Sequence, residues 1–364
     1  MTNRNKALYV LMFLILTVQA CTSHDKVGEI EMSPLSDLTQ FESRIDSLQI
    51  IPLKDNGKLV LGDELELCSG KDSWYLVDNK NKKIVRYSMD GSFCGMIGHR
   101  GRSSSEYLTI QNVQVLGDTI FVYSFPDKVV RYSADGIYIG SESVKNLGYQ
   151  TFYRDDRFYS YHGYLMKGSY RLSIIDDGET KREYLRTKGR IMHFESIEPV
   201  FIDANNRLIM IDSYNNALYE VSENKCEEYL SFDFGQYSIS KDFFKSKDEF
   251  EGAEYLLNTI FARISRYLEN SKTKCVVVSL DGQGQRSFIY GLEQRGVWQW
   301  FQMGAPTESP FTGTLRLLDD DGLIFLLESK QLKDIPREIS TRIIGGLDVD
   351  DIETEYVITK AYIH

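Results

Sequence analysis

Three stretches of this 364-residue chain close on one phrase: Ile84-Val85-Arg86-Tyr87-Ser88-Met89-Asp90-Gly91, Val129-Val130-Arg131-Tyr132-Ser133-Ala134-Asp135-Gly136 and Cys275-Val276-Val277-Val278-Ser279-Leu280-Asp281-Gly282. The first two copies lie 45 residues apart. A period of that length, made of β-branched and aromatic runs that end in Asp-Gly turns, is the signature of propeller blades. A single blade cannot bury both of its apolar faces, so the repeats must stack, and the chain is expected to be an all-β propeller. The chain is also longer than most compact single domains, and a propeller accommodates that length by adding blades.

Short strands are expected at Trp74 to Val77, Ile84 to Tyr87, Thr119 to Tyr123, Val129 to Tyr132, Arg207 to Ile211 and Leu323 to Leu327, each bounded by Gly, Asp or Asn. Asp-Gly pairs at 90, 135, 177 and 281 supply hairpin turns, and the last interval, 104, fits two blades of about 52. Asp78-Asn79 with Ile84, and Asp212-Ser213 with Leu218, repeat one spacing and mark a fourth blade. Six blades then span 55–100, 101–145, 146–187, 188–235, 236–305 and 306–364, with seven as the alternative count. Leu257, Ile260, Phe261, Ile264 and Leu268 recur at helical spacing, which predicts one amphipathic helix inserted near 248–270. The third Asp-Gly copy follows that insertion, so its hairpin need not join the same strands as the first two. Leu48 to Leu53 and Glu355 to Ile363 read as strands that complete the ring, the N-terminal one by joining the last blade, because an open sheet edge leaves backbone groups unpaired.

Arg4 and Lys6 precede an apolar run from Ala7 to Leu16, too short to span a bilayer, and Thr17-Val18-Gln19-Ala20-Cys21 follows. A small residue before a cysteine at that place resembles the lipobox of bacterial lipoproteins. The resemblance implies cleavage after Ala20, acylation of Cys21, and a lipid bilayer as partner; Thr22 rather than Asp in the next position favours the outer membrane, facing either the periplasm or the cell exterior. Residues 21–40 are mostly polar without a period and are expected to be a tether, leaving 41–364 for the propeller. The net charge of −11 disfavours nucleic acid as a partner. Cys68, Cys94, Cys226 and Cys275 match neither a paired-cysteine motif nor a zinc frame, and free strand thiols are expected, with one bridge as the alternative.

Ile51-Pro52-Leu53, Tyr75-Leu76-Val77-Asp78, Val85-Arg86-Tyr87 with Asp90-Gly91, and Gly98-His99-Arg100-Gly101-Arg102-Ser103-Ser104-Ser105-Glu106-Tyr107 together resemble the six-bladed β-propeller lipoproteins of gut-dwelling Gram-negative bacteria, distant relatives of NHL-repeat propellers. That family usually has Gly-Pro where this chain has Ser103-Ser104. The resemblance is strongest over 47–140 and moderate over 200–235. It implies a fold and a cell-envelope address and carries over no activity.

No motif of comparable strength names a reaction. His162, in Tyr159-Ser160-Tyr161-His162-Gly163-Tyr164, is a candidate for the funnel of blade three, against the reading of a hydrogen-bonded loop histidine. Asp155-Asp156, Asp176-Asp177, Asp319-Asp320-Asp321 and Asp348-Asp350-Asp351 read as turns, and none has calcium-loop or other metal spacing. Gly282-Gln283-Gly284 lacks the rest of a phosphate loop, and no cofactor is expected. Trp298-Gln299-Trp300 alternates, so on a strand both indoles share a face, either packed in a blade or exposed to stack on a sugar or anchor a protein. Two functions follow. One is a non-catalytic binding or scaffold module for a glycan, peptide or envelope protein; the other is a propeller-fold glycan hydrolase or lyase using axial carboxylates or His162.

Overall fold

Each repeat folds into an antiparallel meander, and six such sheets surround one axis. The computed structural model describes residues 29–363 apart from 56, 58, 164–169, 188–199, 205–206, 240–242, 244–248, 308 and 335–351. Blade one comprises Leu65–Ser69, Ser73–Asp78, Lys83–Ser88 and Phe93–Met96; blade two Asn112–Leu116, Thr119–Ser124, Lys128–Ser133 and Tyr138–Ser143. Blade three comprises Gln150–Arg154, Arg157–Tyr161, Tyr170–Asp176 and Glu179–Arg186; blade four Phe201–Ala204, Arg207–Asp212, Ala217–Ser222 and Lys225–Asp233. Blade five comprises Phe261–Glu269, Thr273–Gly282, Gln285–Gln294 and Val297–Gly304; blade six Leu315–Leu318, Gly322–Glu328, Tyr356–Ile363 and the N-terminal Ile45–Pro52. The first strand of every blade touches the first strands of both neighbours, which sets those six strands around the axis.

The core lies between blades. In Trp74-Tyr75-Leu76-Val77, Trp74 and Leu76 pack with Ile324, Leu326 and Ile358 of blade six, while Tyr75 and Val77 pack with Ile120, Val122 and Val130 of blade two. Alternate side chains therefore enter two different cores, and the strand reads as a continuous apolar run instead of an alternating one. The conserved-looking phrase of the repeat has a packing reason as well. A Cβ on Gly91 (φ 82°) would collide with the Pro52 carbonyl, and one on Gly136 (φ 84°) would crowd the Met96 carbonyl, so each third-to-fourth turn tucks under the end of the preceding blade's outer strand.

Ring closure follows the expectation: Ile45–Pro52 pairs antiparallel with the third strand of blade six, from Ile45 opposite Ile363 to Pro52 opposite Val357. The segment before it departs from a tether. Ile30–Glu31 pairs parallel with Phe232–Asp233 on the outer edge of blade four, and Leu35–Ser36 pairs parallel with Trp300–Phe301 on that of blade five. Asp37 then caps the helix Leu38–Ser43, its Oδ1 accepting the Gln40 amide at 2.9 Å, and Phe41 is buried among Tyr290, Phe301 and Phe311. From Ile30 onward the chain is a strap across two blades, and two-residue parallel pairings carry no period that a sequence reading can detect.

The inserted helix is shorter than expected. It spans Glu249–Asn258, and residues 261–269 form the axial strand of blade five. The apparent polar face of a helix comes from buried polar side chains in that strand: Arg263 pairs with Asp281, Ser265 donates to the Val277 carbonyl and Arg266 pairs with Glu66. Leu256 packs with Ile239, Phe243 and Phe261, and the Gln283 amide N–H donates to the Leu257 carbonyl at 3.0 Å, so the helix is seated on the blade. The third Asp-Gly copy lies between the second and third strands of its blade, whereas the first two lie between third and fourth; its turn residues are Gln283 (φ 53°) and Gly284 (φ 73°).

Candidate functional site

Cys21 and His193 lie outside the described residues. His162 stands just beyond the second strand of blade three, half-buried, with Nε2 2.7 Å from Ser173 Oγ; burial pulls its pKa down from 6.5. It does not line the axial channel. Trp298 and Trp300 share a face of the outer strand of blade five and stack with centroids 5.6 Å apart; Trp300 is buried, Trp298 half-buried, and both meet Phe232 edge-on. They serve the joint between blades four and five. His99 pairs with Glu106 at 2.7 Å in the post-blade loop, whose Glu106 carboxyl is held below the usual range by the Ser103 N–H first and by His99. Lys128 Nζ donates to the Ser103 and Glu106 carbonyls, at 2.7 and 2.6 Å, and a Cβ on Gly101 would displace the Glu106 carboxyl from its place. The loop therefore closes with Ser103-Ser104 in place of Gly-Pro.

Two hollows remain. The axial channel, about 280 Å³, is lined by all six inner strands. Its carboxylates are spoken for. Arg266 grips Glu66 through both guanidinium nitrogens, at 3.0 and 2.8 Å, and donates to the Arg316 carbonyl at 3.1 Å, joining blades five, six and one across the axis. Asp203 pairs with Arg154 at 3.2 Å. The amides of the channel wall are equally committed. Asn112 donates to the Thr151 carbonyl (2.8 Å) and accepts the Thr151 N–H (3.0 Å), and Gln114 does the same with Tyr153 (2.8 and 2.7 Å). These two side chains imitate a neighbouring strand and zip blade two to blade three. Cys68 also borders the channel, and burial drives its thiol up to about 12.

The second hollow is a groove of about 940 Å³ between blades five and six, on the side of the first-to-second turns. Three turns build it: Asn270 to Thr273 and Gln294 to Val297 of blade five, and Asp320 to Gly322 of blade six, with Arg44 from the entry to the closing strand. Arg44 donates to Gln294 Oε1 at 2.7 Å and to Gln299 Oε1. Each of these amide oxygens faces the Arg44 guanidinium, and the amide NH2 groups remain available as donors. Among the described residues Arg295 has no acidic partner, and the Lys272 ammonium contacts only the Asp320 carbonyl, at 3.5 Å. On the opposite lip, Asp319 accepts the Asp321 and Gly322 N–H groups and pairs with Lys360 at 2.6 Å, while Asp321 lies 3.7 Å from Lys360. A smaller hollow of about 340 Å³, bordered by Pro34, Ser36, Trp298 and Phe301, shares Arg44 and Gln299 with the groove.

The groove residues escaped the sequence reading because they are ordinary turn residues; the acidic run 319–321 was the one signal, and it reads as a solvated turn. No group of three or more His, Cys, Asp or Glu side chains arranged for a metal occurs among the described residues. Cys68, Cys94, Cys226 and Cys275 are free thiols.

A family model described as a domain of unknown function, DUF4934, matches residues 29–302. No curated protein matches the chain. A crystal structure from Bacteroides fragilis, of a protein named as exported, shares the fold with a TM-score of 0.70 at 13% identity, over 92% of this chain and 99% of that one. A member of the DUF4221 family from Bacteroides vulgatus matches with a TM-score of 0.55 at 12% identity, over 87% of this chain and 96% of its own. Likeness at these identities shows the fold.

Proposed function

The chain belongs to the DUF4934 family, and from that footing we propose that it is a lipid-anchored envelope propeller that holds a glycan, peptide or envelope protein in the groove between blades five and six without transforming it. The carrying observation is the contrast in how polar groups are used. The axial carboxylates Glu66 and Asp203 are each paired with an arginine, so among the described residues no channel carboxylate stands without a cationic partner. The groove instead presents Lys272 and Arg295 with no carboxylate partner among the described residues, held on turns of a closed ring, a condition for recognition at low ordering cost. The lipobox-like Thr17-Val18-Gln19-Ala20-Cys21 supports Cys21 as the acylated residue, and the exported name of the Bacteroides fragilis protein of like fold agrees with an envelope address.

A thermal-shift screen of the chain from residue 22, against polysaccharides, oligosaccharides, peptidoglycan fragments, peptides, and calcium with a chelator control, tests the reading, since a ligand that binds the folded state raises melting by mass action. A shift that disappears in a Lys272→Glu/Arg295→Glu variant supports it. A shift that survives in that variant and is lost in Glu66→Gln returns the site to the axis. Mass spectrometry of the membrane fraction tests acylation of Cys21.

A further inference from the structure

The groove is chemically divided, and resting on its reading as the binding site, we propose that its occupant is an extended peptide segment with an acidic end against Lys272 and Arg295 and a basic end against Asp320 and Asp321. Its blade-five side carries the cations Lys272 and Arg295 beside the NH2 groups of Gln294 and Gln299, whose oxygens face Arg44. Its blade-six lip is all acceptor, from the carboxylates of Asp320 and Asp321. A backbone in the groove would offer carbonyls to the first side while its charged side chains chose an orientation, and such complementarity sets register and partner choice more than raw affinity.

The apolar surface points the same way. Leu292, Leu318 and Ile363 line the groove and Val297 stands at its mouth, 62% exposed. All four are aliphatic. Among the described residues no Phe, Tyr or Trp lines this hollow, so the flat ring that stacks on a sugar face is missing from it. Trp298 and Trp300 pack against Phe232 and border the adjoining smaller hollow instead. Aliphatic side chains of a peptide match this lining, and a hexose does not.

The test uses fluorescein-labelled octapeptides with two glutamates, four aliphatic residues and two lysines in that order, in the reverse order, and with the charges interleaved, alongside an oligogalacturonate and a neutral cello-oligosaccharide. Affinities are measured by anisotropy, or calorimetry for the sugars, on the chain from residue 22 and on its Lys272→Glu/Arg295→Glu and Asp320→Lys/Asp321→Lys variants, with melting curves confirming that both variants fold. One segregated order should bind at least about tenfold more tightly than the interleaved peptide, weaken with salt, and lose about tenfold or more in each variant. Equal binding of segregated and interleaved peptides would overturn the proposal. Silent peptides with a sugar bound in a manner sensitive to either variant would replace the occupant while keeping the groove. Silence of every probe, or binding indifferent to both variants, would overturn the occupant and the groove together.

Discussion

The axial channel and the groove between blades five and six are hollows of the same propeller, and they use polar side chains in opposite ways. In the channel, Glu66, Arg266, Asn112, Gln114 and Asp203 each meet a protein partner, and several of those partners belong to other blades. Buried polar groups in such a place must be satisfied, and here their satisfaction joins the blades. In the groove, Lys272 and Arg295 come from exposed turns, and no carboxylate is committed to them. The two hollows thus differ in how far their charges are already paired within the protein, and the proposed recognition role rests on that difference.

The largest expected effect falls on the strand that closes the ring and ends at the groove. Removing Tyr356–Ile363 opens blade six and strips Ile45–Pro52 of its partner, so cooperative unfolding in urea should vanish; an unchanged transition would mean that closure does not hold the ring. Next, Arg266→Met should lower stability by about 3–5 kcal/mol by leaving Glu66 unpaired, with much of that recovered in Arg266→Met/Glu66→Leu. Lys272→Glu/Arg295→Glu should stay within about 0.5 kcal/mol of the parent, and denaturant melts of the three proteins would break the contrast if the order were reversed. Gln114→Leu removes an amide that satisfies the Tyr153 backbone and the Tyr123 hydroxyl, at a cost of about 1–3 kcal/mol, again with no effect on groove binding.

A smaller effect concerns pH. The folded pKa of His162 lies below 6.5, so below pH 6.5 the unfolded chain binds a proton that the folded chain refuses, and stability falls as pH drops from 6.5 toward the folded value. A His162→Gln variant should flatten that slope in melts between pH 7 and 5; a parallel slope would remove His162 as its source. Smallest of all, a maleimide should label Cys94 first in the folded protein, since Cys94 is exposed while burial holds the thiols of Cys68 and Cys226 up at about 12. Equal labelling of Cys68 would show that the channel is open.

The blades were legible because the repeat acts locally: Tyr75-Leu76-Val77-Asp78 and Val85-Arg86-Tyr87 specify paired strands by their own composition, and Asp90-Gly91 and Asp135-Gly136 mark turns that only glycine can place against the previous blade. Closure was legible for the same reason, since two orphan strands at opposite ends of the chain leave few ways to complete a sheet. Phe261 to Leu268 misled because an axial strand with both faces covered can carry polar residues inside, and Arg263, Ser265 and Arg266 mimicked the wet face of a helix. The strap from Ile30 to Ser36 and the amide zips of Asn112 and Gln114 depend on partners far along the sequence. The groove was hidden most completely, because Asn270 to Thr273, Gln294 to Val297 and Asp320 to Gly322 each look like plain turns, and only the ring brings the three together.

The most direct measurement is amide hydrogen exchange with and without the compound that raises melting most in the thermal-shift screen. Slowed exchange at residues 270–273, 294–297 and 319–322, with 65–69 and 112–116 unchanged, is the expected result. Slowed exchange at 65–69, 112–116 and 264–268 with the three turns unaffected would put the ligand in the axial channel and contradict the assignment of recognition to the groove.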